Sequence, residues 1–330
     1  MGNKKKIDYV YILGASHSGS TLLALLLNAH PDVTTMGESA PSNIGDIDTY
    51  RCSCGKIFNE CLFWKRVAAR MRADHPDFSL DNFGTKFELP SNPVIHHFLR
   101  FEHRGLLFES LRDTVLHLSP HWTQSQRNIM ARCYDLASAV LAESGRHIFV
   151  DSSKLAHRLK FLARIPEFNI KAIHLVRDGR AVALTYMRPN EFADSKEPAL
   201  RKGGRGMEGA ATADAMPMKQ AANEWRRCLR SAEHVLAGLE KSQWIRVYYD
   251  ELCNDTEGTL DKIYNFIGTN SGSAVADLGS VERHILGNGM RLNTEINVSL
   301  DERWKSVLTE GELRIFDREA SKVNRRYGYA

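Results

Sequence analysis

A stretch of small and hydroxylated residues, Gly14-Ala15-Ser16-His17-Ser18-Gly19-Ser20-Thr21, stands between two apolar runs. The run before it is rich in β-branched and aromatic residues, and the run after it reads as a helix. Strand, tight turn, helix is the setting in which a loop holds phosphate. Small side chains let backbone N–H groups approach an anion, and the following helix aims its positive end at the same place. Ser18, Ser20 and Thr21 add hydroxyl donors. The spacing mimics the nucleotide-triphosphatase pattern G-x-x-x-x-G-K-S/T, but Ser20 stands where that pattern has the Lys that reaches the β- and γ-phosphates. ATPase or kinase chemistry is weakened by that exchange. A strand-to-helix turn without a ligand is the plainer alternative.

A second group suited to an anion is Arg177-Asp178-Gly179-Arg180-Ala181-Val182-Ala183-Leu184-Thr185. Arg177 ends an apolar run, the edge at which open α/β sheets bind ligands. Thr185 lies about two helical turns further on, so a helix starting at Asp178 is expected to bring the guanidinium and the hydroxyl near one anion. Cys52, Cys54 and Cys61 form a third cluster, Cys52-x-Cys54-Gly55 followed by Cys61. Three sulfurs suggest a metal, yet the spacing is not a standard zinc pattern and no fourth ligand is evident. The expectation is a small-residue turn with buried thiols and no metal.

The elements that must position these groups are short apolar strands alternating with helices. Strands are expected at 7–13, 147–150, 171–176 and 244–249, and a buried helix at 21–29, stopped by His30-Pro31. Further helices are expected from Thr123, with Gln126 as its capping-box partner, to near Gly145, from Lys219 to Lys241, and from Thr309 with Glu312 to about Arg326. The pattern argues for an α/β fold: a P-loop-like parallel sheet flanked by helices. Residues 65–145 read as a helical insertion between the first two strands. Residues 187–218, rich in Gly, Ala, Pro and charge, read as a mobile loop. One domain spanning 1–330 is expected.

Bulk properties exclude little but narrow the class. Hydrophobic residues make up 43% and charged residues 25% of 330 residues, ordinary for a globular chain. A formal charge of +4 suits an anionic ligand without demanding nucleic acid, since Lys and Arg are spread out. The one dense basic run, Lys4-Lys5-Lys6, is expected to be a solvated tail. The longest apolar run, Leu22 to Leu27, is too short to span a bilayer. With no secretory signal evident, a cytoplasmic protein with no membrane partner and no structural disulfides is expected.

On these residues the chain resembles the sulfotransferases that use 3′-phosphoadenosine 5′-phosphosulfate (PAPS), in particular bacterial carbohydrate and tyrosylprotein types. His17-Ser18-Gly19-Ser20-Thr21-Leu22 is similar to the family's 5′-phosphosulfate loop, with His17 where the family has Lys or Arg. A His carries a charge that depends on pH. Asn28-Ala29-His30-Pro31-Asp32-Val33 and then Gly37-Glu38 resemble the family's continuation. Arg177 and Thr185 match its 3′-phosphate pair, Thr replacing Ser. Asp151-Ser152-Ser153-Lys154, Tyr248-Tyr249-Asp250-Glu251-Leu252 and His284-(x2)-Gly287-Asn288-Gly289-Met290-Arg291 resemble three more family segments. The resemblance covers roughly 7–40, 147–190 and 220–328.

The resemblance implies sulfuryl transfer from PAPS, with bisphosphate (PAP) as product, to a hydroxyl of a small-molecule or carbohydrate acceptor. It implies Glu38 as general base, and His17 and Lys154 as cations at the transferring group. Ser16, His17, Ser18, Gly19, Ser20, Thr21, Arg177, Thr185, Tyr249 and Arg291 then hold the nucleotide. Apart from the resemblance, Phe98, Phe101, Trp122, Tyr186 and Phe192 are candidates for an acceptor cleft, with core packing the equal alternative. The competing enzyme is a P-loop small-molecule kinase, with Asp151 as its acidic Mg²⁺ partner. A nucleotide-binding module without catalysis is the third reading.

Overall fold

A computed structural model describes residues 4–40, 47–89, 91–100, 106–189, 215–270, 283–287, 289–292 and 298–329. Five parallel strands form one sheet in the order β2-β3-β1-β4-β5. They are β1 (Ile7–Leu13), β2 (Val33–Gly37), β3 (Ile148–Lys154), β4 (Phe168–Val176) and β5 (Trp244–Tyr248). Parallel neighbours need crossovers, and the first is α1 (Ser20–Asn28), which links β1 to β2.

The sheet is buried on both faces, as a parallel sheet must be when helices cover each side. Alternation along β1 sorts its side chains. Val10 and Ile12 face Leu22, Leu23 and Leu26 of α1. Tyr9, Tyr11 and Leu13 face the helices α2 (Leu62–Asp74), α5 (Pro120–Ser144) and α6 (Ala156–Leu162), with α3 (Pro93–Arg100) and α4 (Leu106–His117) between α2 and α5 in the chain. The helix α7 (Gly179–Met187) follows β4 and packs with α8 (Met218–Ala237) and the last helix (Glu310–Arg326) around Trp225 and Phe316.

Two expectations are corrected here. The helical stretch does not follow the first strand, because β2 intervenes and pairs with β3. Its Thr34 and Thr35 break the apolar run that marks the other strands. They are nonetheless buried, and Thr35 donates its hydroxyl to the Val150 carbonyl at 2.7 Å. The long helix α5 starts earlier than Thr123. Ser119 caps it, accepting the Trp122 N–H at 3.3 Å, and Pro120 takes the first turn, where its missing N–H costs nothing. The capping box at Thr309 and Glu312 is as expected. Lys4, Lys5 and Lys6 are exposed, as expected, and Lys4 also pairs with Asp135 at 3.1 Å. Most of the loop expected at 187–218, namely 190–214, lies outside the described residues.

Candidate active site

The loop, Glu38, Lys154, Arg177 and Tyr249 sit at the carboxyl ends of the strands, where the connections leave a crevice. Gly37-Glu38 ends β2, Lys154 ends β3, the loop 14–19 follows β1, Arg177 follows β4 and Tyr249 follows β5. The strand order puts Glu38 beside Lys154, and Lys154 beside the loop. The Lys154 carbonyl accepts the Gly14 N–H at 3.3 Å. The Lys154 ammonium forms an ion pair with Glu38 Oε1. Both side chains are largely buried, 9% and 14% exposed, so each charge compensates the other in a place that would otherwise penalise it.

His17 (φ 63°) and Lys154 (φ 68°) are the only non-glycine residues with positive φ among the described residues. A left-handed backbone costs a long side chain roughly 1–2 kcal/mol and is retained where the surroundings impose it, commonly at functional sites. Here the two strained residues lie on adjacent strand ends, one on each side of Gly14. The His17 ring meets Tyr186 edge-on at 5.4 Å.

The loop closes over α1 without a side-chain cap. Gly19, at the N-cap, has φ 93° and offers no side chain to cap the first turn, whose amides form the positive end of α1. Tyr249 lies beneath: a Cβ added at Gly19 would come within 2.5 Å of its ring. The same ring carries the Arg177 guanidinium at 4.4 Å from its centroid. Arg177 donates to the His17 carbonyl at 2.9 Å and to Asp301, at 3.1 Å to its carbonyl and 3.0 Å to Oδ2. The loop and Arg177, each expected from sequence to meet an anion, are thus in direct contact. Beside them opens a cavity of about 330 Å³ lined by Arg177, Arg180, Tyr249, Asp301, Trp304 and Lys305, among others.

Ser18 Oγ and Arg177 Nε are buried and make no hydrogen bond among the described residues. Buried polar atoms are almost always paired, so orphan donors on the loop and on the Arg177 that contacts it fit a ligand rich in acceptor oxygens. The residues present therefore suit a phosphate-bearing nucleotide.

Other candidates fall elsewhere. Thr185 is buried, with its hydroxyl donating to Ala181 O at 3.2 Å one turn back, and it does not line the cavity. Arg291 is fully buried. It donates to the Gly287 carbonyl and, at 2.8 Å, to the Arg51 carbonyl, while its guanidinium lies over the Tyr50 ring at 4.5 Å. This geometry braces two chain segments. Trp122 belongs to the core beside Phe161. Phe101 and Phe192, and the side chain of Phe98, lie outside the described residues.

Asp151 is no open Mg²⁺ ligand. It is fully buried and accepts from Tyr9 at 2.8 Å, the Ser153 N–H at 2.9 Å, the Ser39 hydroxyl and Arg158 at 3.1 Å. Burial alone would raise its proton affinity. The Arg158 charge and the hydroxyl donors outweigh burial and hold the carboxyl below the usual carboxylate range. The kinase reading loses its acidic residue to this network.

Sequence reasoning missed two groups. Asp301 has no local motif and reaches Arg177 across 124 positions. His284 brings Nδ1 to the sulfurs of Cys52 and Cys61, supplying the fourth donor that local spacing hides. Among the described residues no helix is long and apolar enough to cross a membrane.

Among solved structures, the chain is similar to the sulfotransferase domain from the Synechococcus PCC 7002 olefin synthase, at 17% identity over 96% of each chain, TM-score 0.49. It is also similar to the sulfotransferase domain from the curacin biosynthetic pathway, at 13% identity over 99% of each chain, TM-score 0.49. Mouse sulfotransferase SULT7A1 complexed with PAP matches at 13% identity over 95% of this chain and 83% of that one, TM-score 0.44. A search of curated proteins finds no match. A family model described as "Sulfotransferase family" matches residues 9–271, a span that holds the loop, Glu38, Lys154, Arg177 and Tyr249. With most of its length matched, including the strand-end residues that form the groove, the chain belongs to the sulfotransferase family.

Proposed function

We propose that the chain transfers a sulfuryl group from PAPS to a hydroxyl of a small-molecule or carbohydrate acceptor, with Glu38 as general base. The observation that supports this reading is the hydrogen bond from Arg177 to the His17 carbonyl, which brings the strand-end arginine against the strand-to-helix loop. A nucleotide phosphorylated at both its 3′ and 5′ positions has the charge to engage both. The donor supplies an activated sulfuryl group.

The protein's own residues divide the remaining work. Arg177, over Tyr249, holds the 3′-phosphate, exchanging its Asp301 partner for phosphate oxygens. Ser18 and the amides of residues 18–21 hold the 5′ end. These donors, with Lys154 and His17, stabilise the charge that builds on the leaving phosphate, commonly the largest catalytic contribution. Glu38 takes the acceptor's proton as the new S–O bond forms, a role worth roughly 10²–10⁴-fold. Lys154 already contacts Glu38, so one ammonium touches both the base and the region of the leaving group. The charges needed come from side chains and backbone, without a metal step.

The test is transfer of labelled sulfate from PAPS to a panel of sugar, phenol, lipid and alkaloid hydroxyls. Glu38→Gln is expected to bind PAP as the parent does and to lower turnover at least about tenfold. Unchanged turnover removes Glu38 from the role of base, and no transfer to any acceptor class removes the reading.

A further inference from the structure

We propose that Cys52, Cys54, Cys61 and His284 form a tetrahedral Zn²⁺ site that fastens the segment behind Glu38. The four donor atoms lie within 4.8 Å of one another. Cys54 Sγ to Cys61 Sγ is 3.7 Å, Cys52 Sγ to His284 Nδ1 is 3.6 Å, and Cys61 Sγ to His284 Nδ1 is 3.3 Å. A tetrahedron with Zn–S of about 2.3 Å and Zn–N of about 2.0–2.1 Å has S···S edges near 3.8 Å and S···N edges near 3.6 Å. The three distances fall at or just inside those edges. A Cys54–Cys61 disulfide needs the sulfurs at about 2.05 Å and gives His284 nothing to do.

The chain is shaped around the sulfurs. Arg51 and Ile57 form an antiparallel bridge. Inside it the Cys52 N–H donates to Lys56 O at 2.9 Å and the Gly55 N–H to Cys52 O at 2.9 Å, with Gly55 at φ 82°. This tight turn puts Cys52 and Cys54 on one side. Cys61 stands immediately before α2, at its positive end. His284 is held from both sides: the Phe63 ring stacks on it at 4.3 Å and 6°, and Ser53 accepts the Ile285 N–H at 2.7 Å.

Three thiolates and an imidazole are soft donors, which select Zn²⁺ over Mg²⁺ or Ca²⁺. Four protein ligands leave no position for substrate, so the site is structural. Cys52 and Cys61 are buried while Cys54 is exposed, which leaves the metal a way in. Binding displaces the thiol protons to solvent without any redox change.

The site joins residues more than 220 positions apart next to the base. Directly after His284, the Leu286 N–H donates to Met36 O at 2.8 Å and Leu286 bridges to Gly37. Gly287 follows, donating its N–H to Tyr50 at 3.0 Å, and a Cβ added to it would come 3.8 Å from Glu38. Arg291 closes the same strip onto Arg51. The metal thus holds the wall that backs Glu38.

The experiment measures metal in the full chain, purified without chelators from zinc-supplemented cells, by inductively coupled plasma mass spectrometry. About one zinc per chain is expected, and less than about a tenth overturns the proposal. Cys54→Ser and His284→Ala are expected to lower zinc occupancy at least tenfold. His284→Cys, which restores a fourth soft ligand, is expected to retain it. Zinc that persists in Cys54→Ser and His284→Ala alike assigns the metal elsewhere and overturns the site. Co²⁺ added to the chelated parent is expected to give the visible absorption of a tetrahedral thiolate complex, and a pale octahedral spectrum counts against it. Chelation is expected to lower the thermal midpoint by about 5–10 °C. None of these readouts requires turnover, so the proposal stands or falls apart from the sulfuryl-transfer reading.

Discussion

Lys154 occupies a conformation that favours glycine, and its ammonium lies against a carboxylate. Removing one partner of such a pair does more harm than neutralising the other in place, because it leaves a poorly solvated charge behind. Lys154→Ala is therefore expected to destabilise the fold by about 2–4 kcal/mol in urea unfolding, against less than about 1 kcal/mol for Glu38→Gln. Equal losses would mean that the pair is not a stability element. Arg177 gives a second contrast. Its guanidinium is fixed by Tyr249 below and by the His17 carbonyl at its side. Arg177→Ala is expected to weaken binding of the 3′-phosphorylated nucleotide by about 1.5–3 kcal/mol, the scale of a charged hydrogen bond. Calorimetric titration with the same nucleotide lacking the 3′-phosphate is expected to show little change. A similar loss for both ligands would show that Arg177 shapes the groove without reading the phosphate.

Among the elements, the loop depends on Gly19. Its φ of 93° disfavours any side chain, and a Cβ would meet the Tyr249 ring at 2.5 Å. Gly19→Ala is expected to cost about 1–3 kcal/mol and to weaken nucleotide binding at least about tenfold, since Tyr249 must move and Arg177 rests on it. Parallel thermal melts and PAP titrations measure the two effects. Retained affinity would mean that the loop amides do not hold the ligand. Strands β1, β3 and β4 were legible because burial on both faces favours apolar runs such as Ile7 to Leu13, and the partly buried β5 was legible from its aromatic and β-branched residues. Strand β2 was hidden because Thr34 and Thr35 look polar, although a neighbouring strand accepts the Thr35 hydroxyl. The loop, Lys154 and Arg177 were legible because each stands at the end of a legible strand, whereas Glu38, at the end of the hidden β2, was reached only through the family resemblance. The inward turn of Arg291 was not legible, because its partners at 51 and 287 are set by tertiary packing.

Over the whole molecule, contacts between distant segments escape local patterns: Asp301 on Arg177, His284 on three cysteines, and the network around Asp151. That network joins β1 through Tyr9, the turn after β2 through Ser39, and α6 through Arg158. Arg158 extends it to the Thr85 carbonyl at 2.6 Å. Its stability depends on pH in a definite direction. Because the folded carboxyl of Asp151 is held below its unfolded value, its contribution is present above about pH 4 and is lost as pH falls through the folded value.

His174, in the middle of β4, acts at higher pH. It is fully buried, and neither ring nitrogen has a hydrogen-bond partner among the described residues. Burial, and secondarily the Arg246 charge, lowers its proton affinity to a pKa of about 3. The unfolded chain takes up this proton below about pH 6.5, whereas the folded chain waits until about 3, so acidification across that window favours unfolding. At pH 5 the difference amounts to about 2 kcal/mol. His174→Leu keeps the strand position apolar and removes the group. Between pH 7 and pH 5 the parent is expected to lose about 2 kcal/mol more urea stability than this variant, and below pH 4 both decline together as Asp151 is protonated. Parallel curves from pH 7 to pH 5 would show that the imidazole gains solvent or a partner on acidification, and that the acid sensitivity of the fold lies in another group.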